Sequence, residues 1–355
     1  MRDNYHRFIN HSGNYSRVLL GTSALVFLLS ACGGEKVVKT NSNPASSNDQ
    51  KSTTASTSPI ESQSVDTLST LIKPEELPQA MLSGNYSGIY AHFSASFKEQ
   101  VSESSFADMA STFTHGIQSF PPSSVMLLNG NERRVWINPA GDKGIMALFD
   151  DKGTILGLQI MGLASYPETD KKKTYTVFEL PFHGDWYVFW GGTNVMDNYH
   201  YEHESQRYAY DFVQEVDGVS YIGEPLKNES YYAFGQDIIA PADGIVITVV
   251  NDIADNEPVG VMNEKEPAGN VVIIDHGGEY SYLAHLKQGS ATVKSGDHVK
   301  SGDVIGQLGN SGNSSEPHLH YQVSDGADLF ASQSLNIHWN NDLNPVKGQT
   351  IQSPI

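Results

Sequence analysis

Asn310-Ser311-Gly312-Asn313-Ser314-Ser315-Glu316-Pro317-His318-Leu319-His320-Tyr321 changes character at Pro317. A polar, glycine-bearing loop ends there, and an extended segment from His318 to Val323 begins. Side chains two apart on a strand share a face, so His318 and His320 aim together while Leu319 packs the other way. Two imidazoles converging at a strand edge is an arrangement that metal chemistry uses, although a histidine pair this short also arises by chance. The rest of the chain decides between the two.

Nine of the thirteen histidines lie at or after His183, so the search for partners belongs to the second half. There, residues 177–180, 186–190, 208–213, 245–250, 271–275, 280–284 and 319–323 are β-rich runs punctuated by Gly and Asn, with no long helix among them. This pattern predicts a mostly β domain over 175–345, a sandwich or barrel-like packing of sheets.

Ordered motifs run through that region. Tyr208-Ala209-Tyr210-Asp211-Phe212 comes first, then Ala240-Pro241-Ala242-Asp243-Gly244 and Gly269-Asn270-Val271-Val272-Ile273-Ile274-Asp275-His276-Gly277. Tyr282-Leu283-Ala284-His285-Leu286, Val293-Lys294-Ser295-Gly296-Asp297, Gly309-Asn310-Ser311-Gly312-Asn313 and Pro317-His318-Leu319-His320 follow. Together they resemble the lysostaphin-type zinc metallopeptidases, which include the LytM-like and β-lytic enzymes that cut peptidoglycan peptides. The resemblance spans about residues 190–325.

That resemblance implies a duplicated hybrid β-sandwich holding one zinc ion through His, Asp and His. Asp211 and His320 would be ligands, and His285 and His318 the catalytic histidines that do not touch the metal. Elementary chemistry agrees. Two imidazoles and a carboxylate leave a fourth zinc position open for water, whose pKa the metal lowers. A neighbouring imidazole can take the water's proton and return it to a leaving amine, and a second can stabilise charge on the carbonyl oxygen.

The first ligand departs from the common pattern. Many family members place His four residues before the Asp, where this chain has Arg207. His200, in Asn198-Tyr199-His200, and His203, in Glu202-His203-Glu204, are the candidates. Relatives with the Gln-Arg-Tyr-Ala-Tyr-Asp form favour His200. Asn310 and Asn313 are expected in a wall of the substrate groove. His276 reads as a structural hydrogen-bonder and His298 as exposed, while His183 and His338 belong to no motif.

The first half reads differently. Ile89, Phe93, Phe97 and Val101 recur every four residues beside Tyr86 and Tyr90, which predicts an amphipathic helix. Ser105 and Asp108 suggest a capping box for a second. After Pro121-Pro122, residues 125–128, 133–137, 145–149 and 154–161 read as short strands, with Asp150-Asp151-Lys152-Gly153 as a hairpin turn. A small α+β domain over 65–165 is expected. Its segment from Phe149 to Ile160 resembles the ending of nuclear-transport-factor-like domains. His92 and His115 stand alone, so no catalysis is assigned to this unit. Residues 166–173, with three lysines in a row, read as an exposed connection.

Upstream, Arg2, Arg7 and Arg17 precede a 14-residue apolar run over 18–31. That is shorter than the roughly 17–25 residues a spanning helix needs and has the order of a secretory signal over 1–31. Leu29-Ser30-Ala31-Cys32-Gly33 resembles a bacterial lipobox, which implies lipidation at Cys32, a membrane anchor, and residence in the cell envelope, at the outer membrane or periplasm of a double-membrane bacterium. Residues 32–64 are Ser, Thr, Asn and Lys with few large apolar side chains, as expected of a disordered linker. Cys32 is the only cysteine, so an internal disulfide is excluded and any metal falls to His, Asp or Glu. A formal charge of −19 argues against nucleic acid as a partner.

The leading expectation is a zinc endopeptidase acting on peptidoglycan cross-links or stem peptides. A catalytically inactive LytM-like module that binds or activates other wall hydrolases is the alternative. Residues 293–305 also resemble biotinyl and lipoyl carriers, a reading that leaves Asp211 and the histidine pair unexplained.

Overall fold

The computed structural model describes residues 72–128 and 130–353. The expected leader, Cys32, the linker to residue 64 and the first residues of the small domain lie outside them. Among the described residues, no helix is long and apolar enough to cross a membrane.

The small domain opens with α1 (Leu77–Leu82), α2 (Tyr86–Ala91), α3 (Ala95–Lys98) and α4 (Glu103–Thr114). Strands β1 (Pro122–Leu128), β2 (Asn131–Ile137), β3 (Lys143–Phe149) and β4 (Ile155–Gly162) then form an antiparallel meander in sequence order. The expected single helix through Ile89, Phe93, Phe97 and Val101 is broken between α2 and α3. Phe93 bridges Ile155 of β4, Ser94 N donates to Ile155 O at 2.9 Å, and the Ser94 hydroxyl caps α3 by accepting from Phe97 N. The four-residue spacing did mark the buried face, because all four side chains enter the core. Likewise α4 is capped by Ser102, which accepts from Ser105 N, so Ser105 and Asp108 lie inside the helix.

The stretch expected as an exposed connection contains α5 (Pro167–Asp170) and is docked. The Asp170 carboxylate accepts from the Tyr201 and Tyr208 hydroxyls, and the Arg207 guanidinium lies 3.4 Å from the Tyr166 ring centre. The lysines at 171–173 are left in solvent, as are Pro167, Glu168 and Thr169, while Tyr166 and Asp170 are half-buried.

Beyond it come β5 (Lys173–Phe178), β6 (Gly184–Trp190), β7 (Tyr210–Val213), β8 (Asp237–Ile239), β9 (Gly244–Val250) and β10 (Asn270–Asp275). They are followed by β11 (Tyr280–Leu286), β12 (His298–Val299), β13 (Val304–Gln307), β14 (Leu319–Ser324), β15 (Asn336–Trp339) and β16 (Thr350–Ser353). Eight strands make one sheet in the order β12-β9-β10-β11-β14-β7-β6-β16, and β13-β8 and β15-β5 form two small ones. Strand β16 pairs with β6 and buries Ile351 in the core, so the domain runs past the expected limit at 345.

One face of the large sheet carries the main core. Phe212, Leu319, Tyr321 and Leu283 pack there with Trp186 and Trp339, and Ile238 of β8 and Ile305 of β13 join them. Alternation then sends Asp211 and His320 to the opposite face. The meander of the small domain is seated against the β6-β7 end: Met126 packs with Tyr187 and Val213, and Val135 and Leu163 pack with Met196.

Candidate metal centre

His320 and Asp211 are direct cross-strand partners on β14 and β7, and Ala284 of β11 is the partner of His320 on its other side. Directly paired residues project to the same face, so the sheet register alone brings the carboxylate and the imidazole together. His285 follows Ala284 and regular alternation would bury it in the core. A bulge prevents this: β10 advances two residues, from Asn270 to Val272, while β11 advances three, from Leu286 to Leu283. At that bulge His285 takes φ of 63°, a left-handed conformation uncommon outside glycine. The extra residue turns its side chain towards His318, with ring centres 4.7 Å apart, and towards His320 at 5.9 Å.

His200 comes from a 3-10 turn over Tyr199–Glu202, 0% exposed, with its ring centre 4.9 Å from that of His320. His200, Asp211 and His320 each offer a ligand atom, and these atoms lie within 4.8 Å of one another. His203 is exposed and outside this group.

Hydrogen bonds fix which nitrogen of each ring faces inward. His200 Nδ1–H donates to Asn198 Oδ1 at 2.9 Å, leaving Nε2 buried without a hydrogen-bond partner, 3.7 Å from Asp211 Oδ2. Gln322 donates to Ser205 O and to the Ser324 hydroxyl, so its Oε1 accepts from His320 Nε2–H at 3.1 Å. His320 Nδ1 then faces Asp211 Oδ1 at 3.0 Å. The two outer rings are tied to loop carbonyls. His285 Nδ1–H donates to Ser311 O at 2.8 Å and His318 Nδ1–H to Glu316 O at 2.9 Å.

The electrostatics follow from burial and crowding. Burial takes His200 down to about 3, against the opposing pull of Asp211. Burial also pushes His285 well below the usual imidazole value, helped by His318 and His320. Burial would lower His320 too, but the hydrogen bond to and charge of Asp211 outweigh it and raise its pKa. For Asp211 burial raises the pKa, and His200, His318 and His320 outweigh that and hold it below the carboxylate range. Among the described residues no Lys or Arg forms an ion pair with this buried carboxylate, only the three imidazoles approach it, and such a site suits a cation.

A divalent metal of borderline softness fits this donor set. The unpartnered Nε2 of His200, the Nδ1 of His320 and the Asp211 carboxylate present electron pairs to one buried point. Two imidazoles and one carboxylate are a donor set that zinc accepts. Asn198 and Gln322 stand behind the two rings as the hydrogen-bonding partners that metal-binding histidines usually have.

Sequence reading missed both supporting residues. Gln322 had a legible signal, being two residues from His320 on the same strand face. Asn198 had none, because its role depends on how the turn at Tyr199 folds back. Asn310 corrects an expectation: it is 0% exposed, donates to Asn228 Oδ1 at 2.8 Å and cannot line a groove. Asn313 is exposed on the same loop. His276 hydrogen-bonds Asp243 O and the Ser281 hydroxyl, and His298 is exposed.

Comparison with known proteins points the same way. The peptidoglycan DD-endopeptidase ShyA of Vibrio cholerae is 42% identical over 66 residues, covering 18% of this chain and 15% of the relative. An uncharacterized metalloprotease of Haemophilus influenzae is 36% identical over 88 residues, covering 25% of this chain and 16% of the relative. The matches to curated relatives thus span only a quarter or less of the relatives' own lengths. Lysostaphin from Staphylococcus simulans aligns at 21% identity and a TM-score of 0.25, over 43% of this chain and 47% of that one. Residues 230–332 match the sequence profile of peptidase family M23, a stretch that holds His285, His318 and His320 and begins after His200 and Asp211. Over residues 230–332 the chain therefore carries a domain that matches peptidase family M23.

Proposed function

We propose that the protein is a zinc-dependent endopeptidase that cleaves peptide bonds of bacterial peptidoglycan. The observation that carries this reading is the partnerless Nε2 of buried His200 facing Asp211 and His320, with His285 and His318 packed beside them. His200, Asp211 and His320 would hold the ion. Bound zinc would supply Lewis acidity to the scissile carbonyl and acidify the attacking water.

The chain's own residues do the rest. His285 and His318 have their Nδ1 protons committed to Ser311 O and Glu316 O, so each presents a basic Nε2 to the site. Of the two, His318 is partly exposed while His285 is buried. His318 is therefore the better placed to take a proton from water and return it to the departing amine. Buried His285 is the candidate to steady a developing oxyanion, which requires a proton on its Nε2 while Nδ1–H stays on Ser311 O, so it would act as the imidazolium that forms beside the developing charge. Asn313, on the loop beside them, is our candidate for the groove wall.

Peptidoglycan as substrate is supported by the sequence likeness to the Vibrio cholerae endopeptidases. A lipid anchor at Cys32 in the cell envelope would place the domain beside that substrate. The helices-then-meander order supports a nuclear-transport-factor-like small domain.

The test is incubation with purified peptidoglycan, with and without chelator, and mass analysis of the fragments. Chelator-sensitive peptide cleavage is expected. A zinc-loaded protein that releases no fragment would favour the inactive, hydrolase-activating alternative. For the ligand assignment, His200→Ala is expected to lose zinc by metal analysis and His203→Ala to keep it; the reverse result would overturn it.

A further inference from the structure

The turn that carries His200 is anchored from outside the peptidase domain. Asp197, three residues before His200, is 0% exposed, and its carboxylate is held mainly by the small domain. Oδ2 accepts from the Ser123 hydroxyl and Oδ1 from the Ser124 hydroxyl, both on β1 and both at 2.5 Å. Asn194 Nδ2 donates to Oδ2 at 2.8 Å from within the same loop. The preceding residue is gripped as well: Arg133 of β2 donates to Met196 O at 2.6 Å, while the Met196 side chain packs with Val135 and Leu163.

From Asp197 the path to the candidate metal is one residue long. Asn198 ties the turn to the residue just before β7 by donating to Ala209 O at 3.0 Å, and its Oδ1 accepts from both the backbone N and Nδ1 of His200. The direction of His200 Nε2 is thus set by Asn198, and the position of Asn198 by a carboxylate whose hydroxyl donors belong to another domain. On the far side, Tyr201 donates to Asp170 of the interdomain connection. Both flanks of the ligand are held by parts of the chain that precede the peptidase domain.

We propose that the small domain is a clamp on the metal centre, with Ser123 and Ser124 as positioning residues that set metal affinity through Asp197 and Asn198. This rests on His200, Asp211 and His320 holding the metal. The interface is then not a neutral spacer. Removing the hydroxyls would leave a buried carboxylate short of donors, and the loop would relax at the cost of the His200 geometry. Losses of about 10–100-fold in metal affinity are usual when partners behind a ligand are removed. Coupling of this kind is reciprocal, so zinc should in turn tighten the interface at β1.

The experiment uses the full chain and inorganic zinc. Zinc affinity is measured by competition with a chromophoric chelator for the unaltered protein, Ser123→Ala, Ser124→Ala and the double variant, with melting of each zinc-free form. Ile145→Val serves as control, since it weakens the small domain's own core without touching Asp197. The expected result is a dissociation constant raised at least about 10-fold in the double variant, with Ile145→Val unchanged in affinity despite a lower melting temperature. The single variants decide the matter if the double variant does not fold. Hydrogen exchange at residues 123–126 is expected to slow when zinc is added. Equal zinc affinity in the serine variants, or an equal loss in Ile145→Val, would sink the clamp while leaving the metal centre standing. No zinc bound by the unaltered chain would sink both.

Discussion

At the scale of single residues, the site is built by departures from regular geometry that the sequence only partly announces. Asp211 and His320 needed nothing special: alternation along β7 and β14 and a direct cross-strand pairing bring them together, and their motifs were legible for that reason. His285 is different. Its side chain reaches the site only because a bulge in β11 interrupts alternation and its φ is 63°. No hydrophobic period reports such a bulge, so its place came from motif resemblance and not from the residues' own pattern. A left-handed conformation in a residue with a Cβ costs of order 1–3 kcal/mol. The hydrogen bonds from His285 N to Ala268 O and from Nδ1 to Ser311 O help to hold it. Since neither His285 nor His318 is among the proposed ligands, replacing either by Ala is expected to leave zinc content unchanged. Activity on peptidoglycan should fall by about 10²–10⁴-fold in each, the usual range for a positioned acid or base. Zinc lost along with activity would instead make one of them a ligand.

At the scale of elements, the polar loop between β13 and β14 does more than frame a groove. Its carbonyls at Ser311 and Glu316 orient the two outer histidines, and Asn310 and Ser314 are fully buried beneath it. The loop can run this close to its neighbour only because Gly312 and Gly269 lack side chains. A Cβ on Gly312 would stand 2.3 Å from Gly269 N and 2.6 Å from Glu266 O, at a φ of 81° that disfavours any other residue. Backbone cannot step aside as a flexible side chain can. Gly312→Ala is therefore expected to destabilise the fold by more than about 1 kcal/mol and to lower activity beyond what the stability loss explains, because Ser311 O moves. Parallel denaturation and activity measurements check this; an unchanged midpoint would mean the loop has more room than the geometry allows. The Gly-Asn-Ser-Gly-Asn wording marked this loop in the sequence. Which asparagine faced solvent was not legible, because that depends on Asn228 and Asn256 arriving from elsewhere in the chain.

At the scale of the whole molecule, the longer strand runs of both domains were legible from period and punctuation, while the short strands β8, β12, β13, β15 and β16 and the union of the two domains were not. Nothing in Ser123-Ser124 or in the Tyr166–Asp170 stretch distinguishes a docked surface from a solvated one until the folded partners are known. The same junction buries Lys347. This side chain is 2% exposed, its Nζ donates to Phe189 O, and it lies 3.4 Å from the centre of the Trp190 ring. Burial, with Arg133 nearby, brings its pKa down to about 6, against the pull of Asp197 and Asp211. The unfolded chain keeps an ordinary lysine near 10.4, so between those values it binds a proton that the folded protein does not. Stability then rises with pH through this window, by at most about 1.4 kcal/mol per pH unit for one group, and the penalty is greatest below the folded pKa. Lys347→Met keeps the length and apolar contact of the side chain and removes the titration. Melting both proteins between pH 6.5 and 9 should show the unaltered chain gaining on the variant as pH rises. Curves that stay parallel would mean that Lys347 remains protonated in the fold, its charge held by Asp197 and the Trp190 face.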